Sequence, residues 1–552
     1  MRSATWCVTL LAAALSACGG SFGSADVGKS WSTKDKPGGA CALEGKDSDG
    51  ASVEPDPAGQ AEIVLEVRAT RVIGAISPLV YGTNGMTEIE KNHQTLVRSG
   101  GNRMTAYNWE NNASNAGKDW KFQNDGNLGS SEEPGKAVTP MVQKVKELGA
   151  TAIVTIPIVD YVAADKRGDG DVRNSGKDYL ANRFRKNRPK KGAPFSDKPD
   201  GNDDSVYEDE FVNFLRKTIP NAKIVYALDN EPDLWADTHA EVHPDKVSYE
   251  ELVRRSIDFA KAIKDVAKDA EVLGFVSYGW HGFDTLQDAP DAKQHGDFVE
   301  YFLGEMKKAE QENGRRLIDY LDLHWYPEAR GDGARITEKK QSDGVIEARL
   351  QAPRSLWDPE YKESSWIADN DGVIKLIPRM MDKIERTYPG TKLAFTEWNY
   401  GAGTNISGAL ASADALGIFG CRGVSVAANW PMGEEPFMLA ALRAYRNYDG
   451  KGAAFGDTAV FAQTSNYETS SVYASIDSQA KGRLVVLALN KLPKPRKTAV
   501  RVTAASELKS AKLFRLVQDD DEIVPGPAPT RAGKNVFAFE MPPFSVNVIA
   551  LE

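Results

Sequence analysis

Two glutamates close apolar, strand-like runs: Glu231 in Ile224-Val225-Tyr226-Ala227-Leu228-Asp229-Asn230-Glu231-Pro232, and Glu397 in Lys392-Leu393-Ala394-Phe395-Thr396-Glu397-Trp398-Asn399-Tyr400. An unpaired carboxylate beside a core is costly, so a fold tends to keep one there for chemistry. Two of them, from strands of one barrel, are what cleavage of a glycosidic bond requires. At the ~5–5.5 Å separation of retaining enzymes, one attacks the anomeric carbon. The other protonates the leaving oxygen and then deprotonates water. The roles need unequal proton affinities, and a second negative charge nearby raises that of the acid. A strand-end Glu taken singly is more often half of a structural salt bridge, but the flanking residues favour chemistry. Asn230 can hydrogen-bond a sugar hydroxyl next to the reacting carbon, Trp398 offers a stacking face for a pyranose, and Tyr400 can restrain a carboxylate.

Something must bring these two segments together. From about residue 76 to 445, strand-like runs alternate with helical ones. The strand candidates are Leu79–Thr83, Gly101–Thr105, Ala152–Ile158, Ile224–Asp229, Val272–Tyr278, Tyr320–Trp325, Leu393–Glu397 and Val424–Trp430. Most are continuously apolar, as strands buried on both faces should be. Eight β–α units predict a (β/α)8 TIM barrel, an α/β fold whose C-terminal strand ends share one face. The clearest intervening helix is Tyr249–Lys268, with Ser248 as N-cap and Glu251 three residues on. After Tyr445 short strands separated by turn residues predict an antiparallel β-sandwich over 446–552. The strand within 61–75, at Ile63–Val67, precedes the barrel and could pair into that sandwich. Arg183–Lys191 reads as a solvated basic loop.

The same barrel face would gather further candidates. His324 and Tyr326 could contact sugar or orient a glutamate, with Trp325 between them. Arg98 and Asn102 could bind hydroxyls or hold Glu397, and Trp430 could form a platform under the reacting sugar. Trp109 and Trp235, with Tyr107, Trp120 and Trp280, could supply aromatic steps along a polymer cleft, or simply core. His239 and His243 lack the zinc-protease spacing and read as structural. Asp165, Asp169 and Asp171, in a Gly-containing loop, are weak candidates for a structural calcium.

Composition narrows the class. The chain has 552 residues with 41% hydrophobic and 26% charged content, enough for a large barrel plus a smaller module. A formal net charge of −10 argues against a nucleic-acid partner. Residues 1–17 read as a signal peptide: Arg2, then an apolar stretch too short to span a bilayer. Leu15-Ser16-Ala17-Cys18 resembles a bacterial lipobox, which implies acylation of Cys18 and anchoring at the outer membrane or cell surface. An ordinary signal peptide with secretion is the alternative. Residues 18–60 read as a flexible tether. Of the cysteines, Cys41 and Cys421 would remain; a disulfide is permitted, but a free Cys41 and a buried Cys421 thiol are favoured.

Several motifs together resemble glycoside hydrolase family 44. They are Leu228-Asp229-Asn230-Glu231-Pro232 followed by Trp235, Thr238-His239, His243-Pro244 and Lys246-Val247-Ser248-Tyr249; Gly100-Gly101-Asn102-Arg103-Met104-Thr105 with Tyr107-Asn108-Trp109-Glu110-Asn111 and Ser114-Asn115-Ala116-Gly117; Asp322-Leu323-His324-Trp325-Tyr326-Pro327; and Thr396-Glu397-Trp398-Asn399-Tyr400. The resemblance runs from about Ile76 to the C-terminus. It implies a TIM barrel plus β-sandwich and an endo-acting β-1,4-glucanase for cellulose-type chains, often xyloglucan, with retention. It also implies Glu231 as acid/base and Glu397 as nucleophile. Family members are seen with calcium, though the chemistry needs no cofactor. The chain departs at Val97-Arg98-Ser99-Gly100, where an aromatic would follow the arginine; its loss would alter one sugar contact. The implied partner is a β-glucan, met by a monomer. Alternatives are a hydrolase for another β-linked glycan (xylan or mannan) and a surface lipoprotein that binds glucan without cutting it.

Overall fold

The computed structural model describes residues 35–552 apart from Asp49, Asp197, Asn202, Ala480 and Lys481. The signal peptide, Cys18 and the first part of the expected tether lie outside the described residues. Among the described residues, no helix is long and apolar enough to cross a membrane.

The first described long strand, β1 (Ile63–Ala75), precedes the barrel. Eight strands then close a parallel barrel: β2 (Gly82–Asn84), β3 (Leu96–Ser99), β4 (Thr151–Ile156), β5 (Ile224–Leu228), β6 (Glu271–Ser277), β7 (Tyr320–Trp325), β8 (Lys392–Trp398) and β9 (Val426–Asn429). Each pairs with its sequence neighbours and β9 pairs with β2, the TIM-barrel order. Leu96, Ile153, Val225, Ala227, Leu273, Val276, Tyr320, Ala394, Val426 and Ala428 form a buried cluster contributed by the barrel strands.

Two strands differ from expectation. The first barrel strand is Gly82–Asn84 rather than Leu79–Thr83, because Pro78–Val80 forms a 3-10 turn capped by Ser77. The second barrel strand is Leu96–Ser99, not Gly101–Thr105, because Gly101 (φ 90°) turns the chain and Asn102–Met104 is a short 3-10 turn. Arg98 interrupts the apolar run and hides the strand, yet it is 1% exposed. The expected long helix forms as α1 (Tyr249–Val266), its Ser248 Oγ accepting from the Glu251 N–H at 3.1 Å. Helix α2 (Ile406–Cys421), between β8 and β9, is buried at every residue.

The second module is one sheet of eleven strands, chiefly antiparallel. It contains β10 (Thr458–Thr464), β11 (Ser470–Ile476), β12 (Leu484–Asn490), β13 (Arg496–Thr503) and six further strands or paired segments. β1 sits inside this sheet, antiparallel to β10 and parallel to β13, so the chain enters the second module before it builds the barrel.

Residues 35–60 are not a free tether. Backbone bridges join Lys36 to Asn466, Gly38 to Thr464 and Val53 to Ala504, and Lys46–Asp47 pairs with β1. Cys41 is buried and forms a disulfide with Cys421, in place of the two thiols expected. A segment poor in apolar residues is thus held by backbone pairing and a covalent bond rather than by a core of its own. Nor is Arg183–Lys191 a plain solvated loop. Phe184–Arg188 is a strand in a three-stranded sheet, and Arg183 is buried.

Candidate active site

Glu231 follows β5 in a turn that few residues adopt. Asp229 (φ 67°) and Glu231 (φ 49°) are both left-handed, a strained state for residues with a side chain. Asp229 holds the turn. Its buried carboxyl accepts from Thr105 Oγ1 (2.7 Å), Asn230 N (2.8 Å), Trp235 Nε1 (3.1 Å) and Ile158 N (2.7 Å). The Glu231 N–H donates to the Val276 carbonyl at 3.0 Å. The side chain, 21% exposed, is thereby fixed in position.

Glu397 lies within β8, register-paired with His324 on β7. Its Oε1 accepts from Arg98 Nη1 at 2.7 Å and its Oε2 from the Tyr326 hydroxyl at 2.8 Å. Arg98 also donates to Asn84 Oδ1 (3.0 Å) and Asn230 Oδ1 (2.7 Å). The Gly101 N–H donates to that same Asn230 oxygen at 3.1 Å. Asn230 is therefore oriented with its amide nitrogen as the group left to meet a ligand. Gly101 is required here: besides its φ of 90°, a Cβ would lie 2.5 Å from the Trp430 ring.

His324 Nδ1 lies 2.8 Å from Glu231 Oε1 and 3.5 Å from Glu397 Oε2. One atom from each of Glu231, His324 and Glu397 falls within 4.8 Å of the other two. The two distant glutamates therefore meet, as their chemistry demands. Burial pushes the Glu231 carboxyl up to about 7, against the pull of Arg98. Burial pushes His324 down to about 4, so the imidazole is neutral near pH 7. The Tyr326 phenol is raised well above its usual range by burial and the adjacent glutamates, and stays a donor.

The other candidates divide. Trp430 is half-buried beside Gly101, and Trp325 and Tyr326 line the cleft with Glu231. Asn102 spends its amide on the Ala116 carbonyl (3.1 Å), and its own carbonyl meets His239 Nε2 (2.8 Å), so it shapes a loop. Trp398, expected to stack on a sugar, and Tyr400, expected to restrain a carboxylate, are core, and for Trp109 and Trp235 the core alternative holds. Trp109 stacks on Phe211 at 5.4 Å, Trp235 is committed to Asp229, Trp398 packs edge-on against Phe419 at 5.5 Å, and Tyr400 lies 6.3 Å from Trp398. None is more than 1% exposed. Their aromatic character matched a platform, but sequence does not say which face of the barrel wall a ring takes.

The cleft, about 310 Å³, has a wall that sequence reasoning missed: Tyr278, Glu328, Arg335, Trp366, Ile367 and Met432. Trp366 starts a short helix capped by Ser365 and stacks on His281 at 4.5 Å. Trp366 falls in the long segment between β7 and β8, which carries no strand periodicity; the one available signal was a Trp directly after two serines.

The calcium candidates do not converge. Asp165 and Asp169 pair with Arg183 (2.7 and 2.8 Å), and Asp171 pairs with Arg173 (2.7 Å). A different carboxylate lacks partners: Glu208, 1% exposed, with neither oxygen hydrogen-bonded. Burial and neighbouring Glu110 push it far up, and Glu110 itself is pushed to about 8 by burial and Asp203.

Comparison with known proteins agrees with this geometry. The sequence profile of glycoside hydrolase family 44 matches residues 113–329. The chain is 40% identical over 516 residues to Endoglucanase A of Paenibacillus lautus, spanning 90% of this chain and 73% of that protein. Among solved structures, a Paenibacillus polymyxa xyloglucanase of the family, determined with xyloglucan, matches with TM-score 0.85 and 40% identity, over 89% of this chain and 99% of that one. Cel44A, an endoglucanase from Clostridium thermocellum, matches with the same score and coverage at 38% identity. CelM2, a bifunctional glucanase-xylanase from a metagenome library, matches at TM-score 0.76 and 27% identity, over the same shares. With two glutamates meeting at the mouth of a TIM barrel and these relatives along most of its length, the chain belongs to glycoside hydrolase family 44 and is a glycoside hydrolase.

Proposed function

We propose that the protein hydrolyses β-1,4-glucan chains internally and with retention, Glu397 acting as nucleophile and Glu231 as acid/base. The observation that carries this reading is the approach of a Glu231 oxygen to within 4.8 Å of a Glu397 oxygen. Inverting enzymes hold their carboxyls ~6.5–9.5 Å apart to admit a water between them. In the first step a Glu397 oxygen bonds to the anomeric carbon while the glycosidic oxygen departs with the Glu231 proton. In the second, Glu231 takes a proton from water, whose oxygen displaces Glu397. Arg98 and Tyr326 aim the two Glu397 oxygens, and Asn230 offers an N–H to the hydroxyl beside the reacting carbon. Relatives at 38–40% identity are an endoglucanase or a xyloglucanase, which supports glucan as the substrate, while another at 40% identity, of which the chain spans 38%, is a β-mannanase/endoglucanase, so mannan stays in the test.

Glu397→Gln is expected to abolish turnover of carboxymethylcellulose or xyloglucan while still binding it, and Glu231→Ala to recover activity with azide. Proton NMR of the first product from a soluble oligosaccharide should show retained configuration. An inverted product, or ordinary hydrolysis by Glu397→Gln, would refute the assignment. Reducing-end release across glucan, xyloglucan, xylan and mannan separates the substrate readings.

A structural calcium, if bound, fits Glu208 better than the Asp165 loop, because Glu208 alone of these groups has both oxygens unsatisfied. Of the neighbouring carboxyls, Glu110 raises Glu208 the most, ahead of Asp209 and Asp229. Calcium is expected to raise the melting temperature of the wild type and EDTA to lower it, with Glu208→Gln insensitive to both. Equal responses from variant and wild type would discard Glu208 as the ligand.

A further inference from the structure

His324 is wholly buried and lies against Glu231. What it does there depends on which ring nitrogen carries the proton. A proton on Nδ1 would bridge Glu231 (2.8 Å) and Glu397 (3.5 Å) and favour an ionised Glu231. A lone pair on Nδ1 would do the opposite, since two acceptors cannot share that short contact unless Glu231 brings the hydrogen.

The opposite edge of the ring decides between them. His324 Nε2 lies 3.3 Å from Thr396 Oγ1, and that hydroxyl lies 2.7 Å from Asp322 Oδ2. Asp322 also accepts the Thr396 N–H at Oδ1, 3.0 Å away. A hydroxyl has one proton to give. The shorter contact, to a carboxylate, is where a charge-assisted donation belongs. Thr396 Oγ1 is then an acceptor toward the ring, and Nε2 supplies the hydrogen.

We propose that Thr396, oriented by Asp322, fixes His324 as the Nε2–H tautomer, so that Nδ1 accepts a hydrogen bond from the protonated Glu231 carboxyl and keeps the general acid loaded. This rests on the reading of Glu231 as acid/base given above. Thr396 and His324 are positioning residues, acting through Glu231. When the glycosidic oxygen takes the Glu231 proton, the new carboxylate faces an imidazole lone pair. That contact favours recapture of a proton from the incoming water, so one device serves both half-reactions and the protons balance.

Other charges also face this pair. Arg98 opposes protonation of Glu231 from β3, while Asp119, in the β3–β4 connection, favours it. Asp233, Tyr278, Tyr326 and Glu397 complete the groups that act on or beside it. Burial pushes Asp322 upward, against His324, Arg98 and the two Thr396 bonds. Glu397 follows Thr396 in the chain, but of these groups Asp322 is the one hydrogen-bonded to the Thr396 hydroxyl, so a change confined to that side chain reports on the relay.

The direct test is nitrogen-15 NMR of the full-length enzyme labelled at histidine, with the His324 signals found by difference from His324→Gln. Six histidines keep the spectrum tractable. A proton on Nε2 at pH 6–7 is expected; a proton on Nδ1 overturns the proposal. The kinetic test is Thr396→Val, with Thr396→Ser as the conservative partner. Losing the acceptor lets the ring place its proton on Nδ1, so the alkaline limb of kcat/KM should move down by about one pH unit. The loss should be large for cellulose-type substrates and small for an aryl cellobioside whose leaving group needs no proton. Thr396→Ser should restore the wild-type profile. An unmoved limb in Thr396→Val would also overturn the proposal. Should Glu231→Ala lose activity equally on both kinds of leaving group, the acid/base reading itself fails, while the NMR still reports the tautomer.

Discussion

Glu231 and His324 are neighbours that burial drives in opposite directions, the acid up to about 7 and the imidazole down to about 4. The acid form of Glu231 is present below about 7 and disappears above it, so with Glu231 in the proposed acid role kcat/KM should fall nearly tenfold per pH unit beyond that point. Stability follows a related rule. Glu231, Asp233 and Glu110 all have folded values raised by burial, to about 7, 8 and 8. Each contributes stability that is complete below its unfolded value near 4 and is lost as pH rises through its folded value. His324, depressed, works the other way, its contribution being lost as pH falls from 6.5 toward 4. Above pH 6.5 that opposition has ended. The melting temperature should therefore fall between pH 6.5 and 8.5, and less steeply in Glu231→Gln. A melting temperature that rises across that window would show that burial does not control these carboxyls.

At the scale of elements, the site is held by what surrounds the two glutamate strands. The turn after β3 brings the Gly101 N–H to Asn230 and leaves room for the Trp430 ring. Gly101→Ala would strain a φ of 90° and push into that ring. It is expected to lower kcat at least tenfold through displacement of Asn230 and Trp430, with a stability cost of about 1–2 kcal/mol. A stopped assay on soluble glucan alongside chemical denaturation separates the two effects; unchanged kcat would show that the turn does not position the site. The legibility of these elements from sequence was uneven for physical reasons. β5 and β8 were readable because an apolar run ends abruptly in Asn-Glu or Thr-Glu. β3 lies a few residues before its expected place because Arg98, which holds Glu397 and Asn230, breaks the pattern that marks a buried strand. Trp398 reads as a cleft residue, and Trp109 and Trp235 as cleft or core, because a large ring suits a sugar face and a protein core equally. Trp366 was missed because a loop wall has no period to detect.

Across the whole molecule, the barrel and the sheet are tied by devices far from the cleft. Asp414 on α2 pairs with Lys491 of the second module at 2.7 Å, both nearly without exposure, and also accepts from Tyr473. The Cys41–Cys421 disulfide closes 380 positions of sequence, linking the segment bridged to the sheet with the end of α2. The Arg422 Nε–H donates to the Ala40 carbonyl at 2.8 Å beside it. A loop of that length would restrict the unfolded chain by an upper bound of about 5–6 kcal/mol in the chain-entropy account. The realised effect is smaller wherever the reduced, unfolded chain keeps structure of its own. Reduction should lower the melting temperature and make residues 35–60 the first site of protease cleavage, because their remaining ties are scattered backbone bridges and mostly exposed side-chain contacts such as Lys36–Glu468 and Arg71–Asp47. Glu231 and Glu397 share no contact with either cysteine, so activity at 25 °C should survive reduction. Cys41→Ser should reproduce both effects without reductant. Equal melting temperatures for oxidised and reduced protein would mean that backbone pairing alone secures this segment, and that the covalent link adds nothing to the union of the two modules.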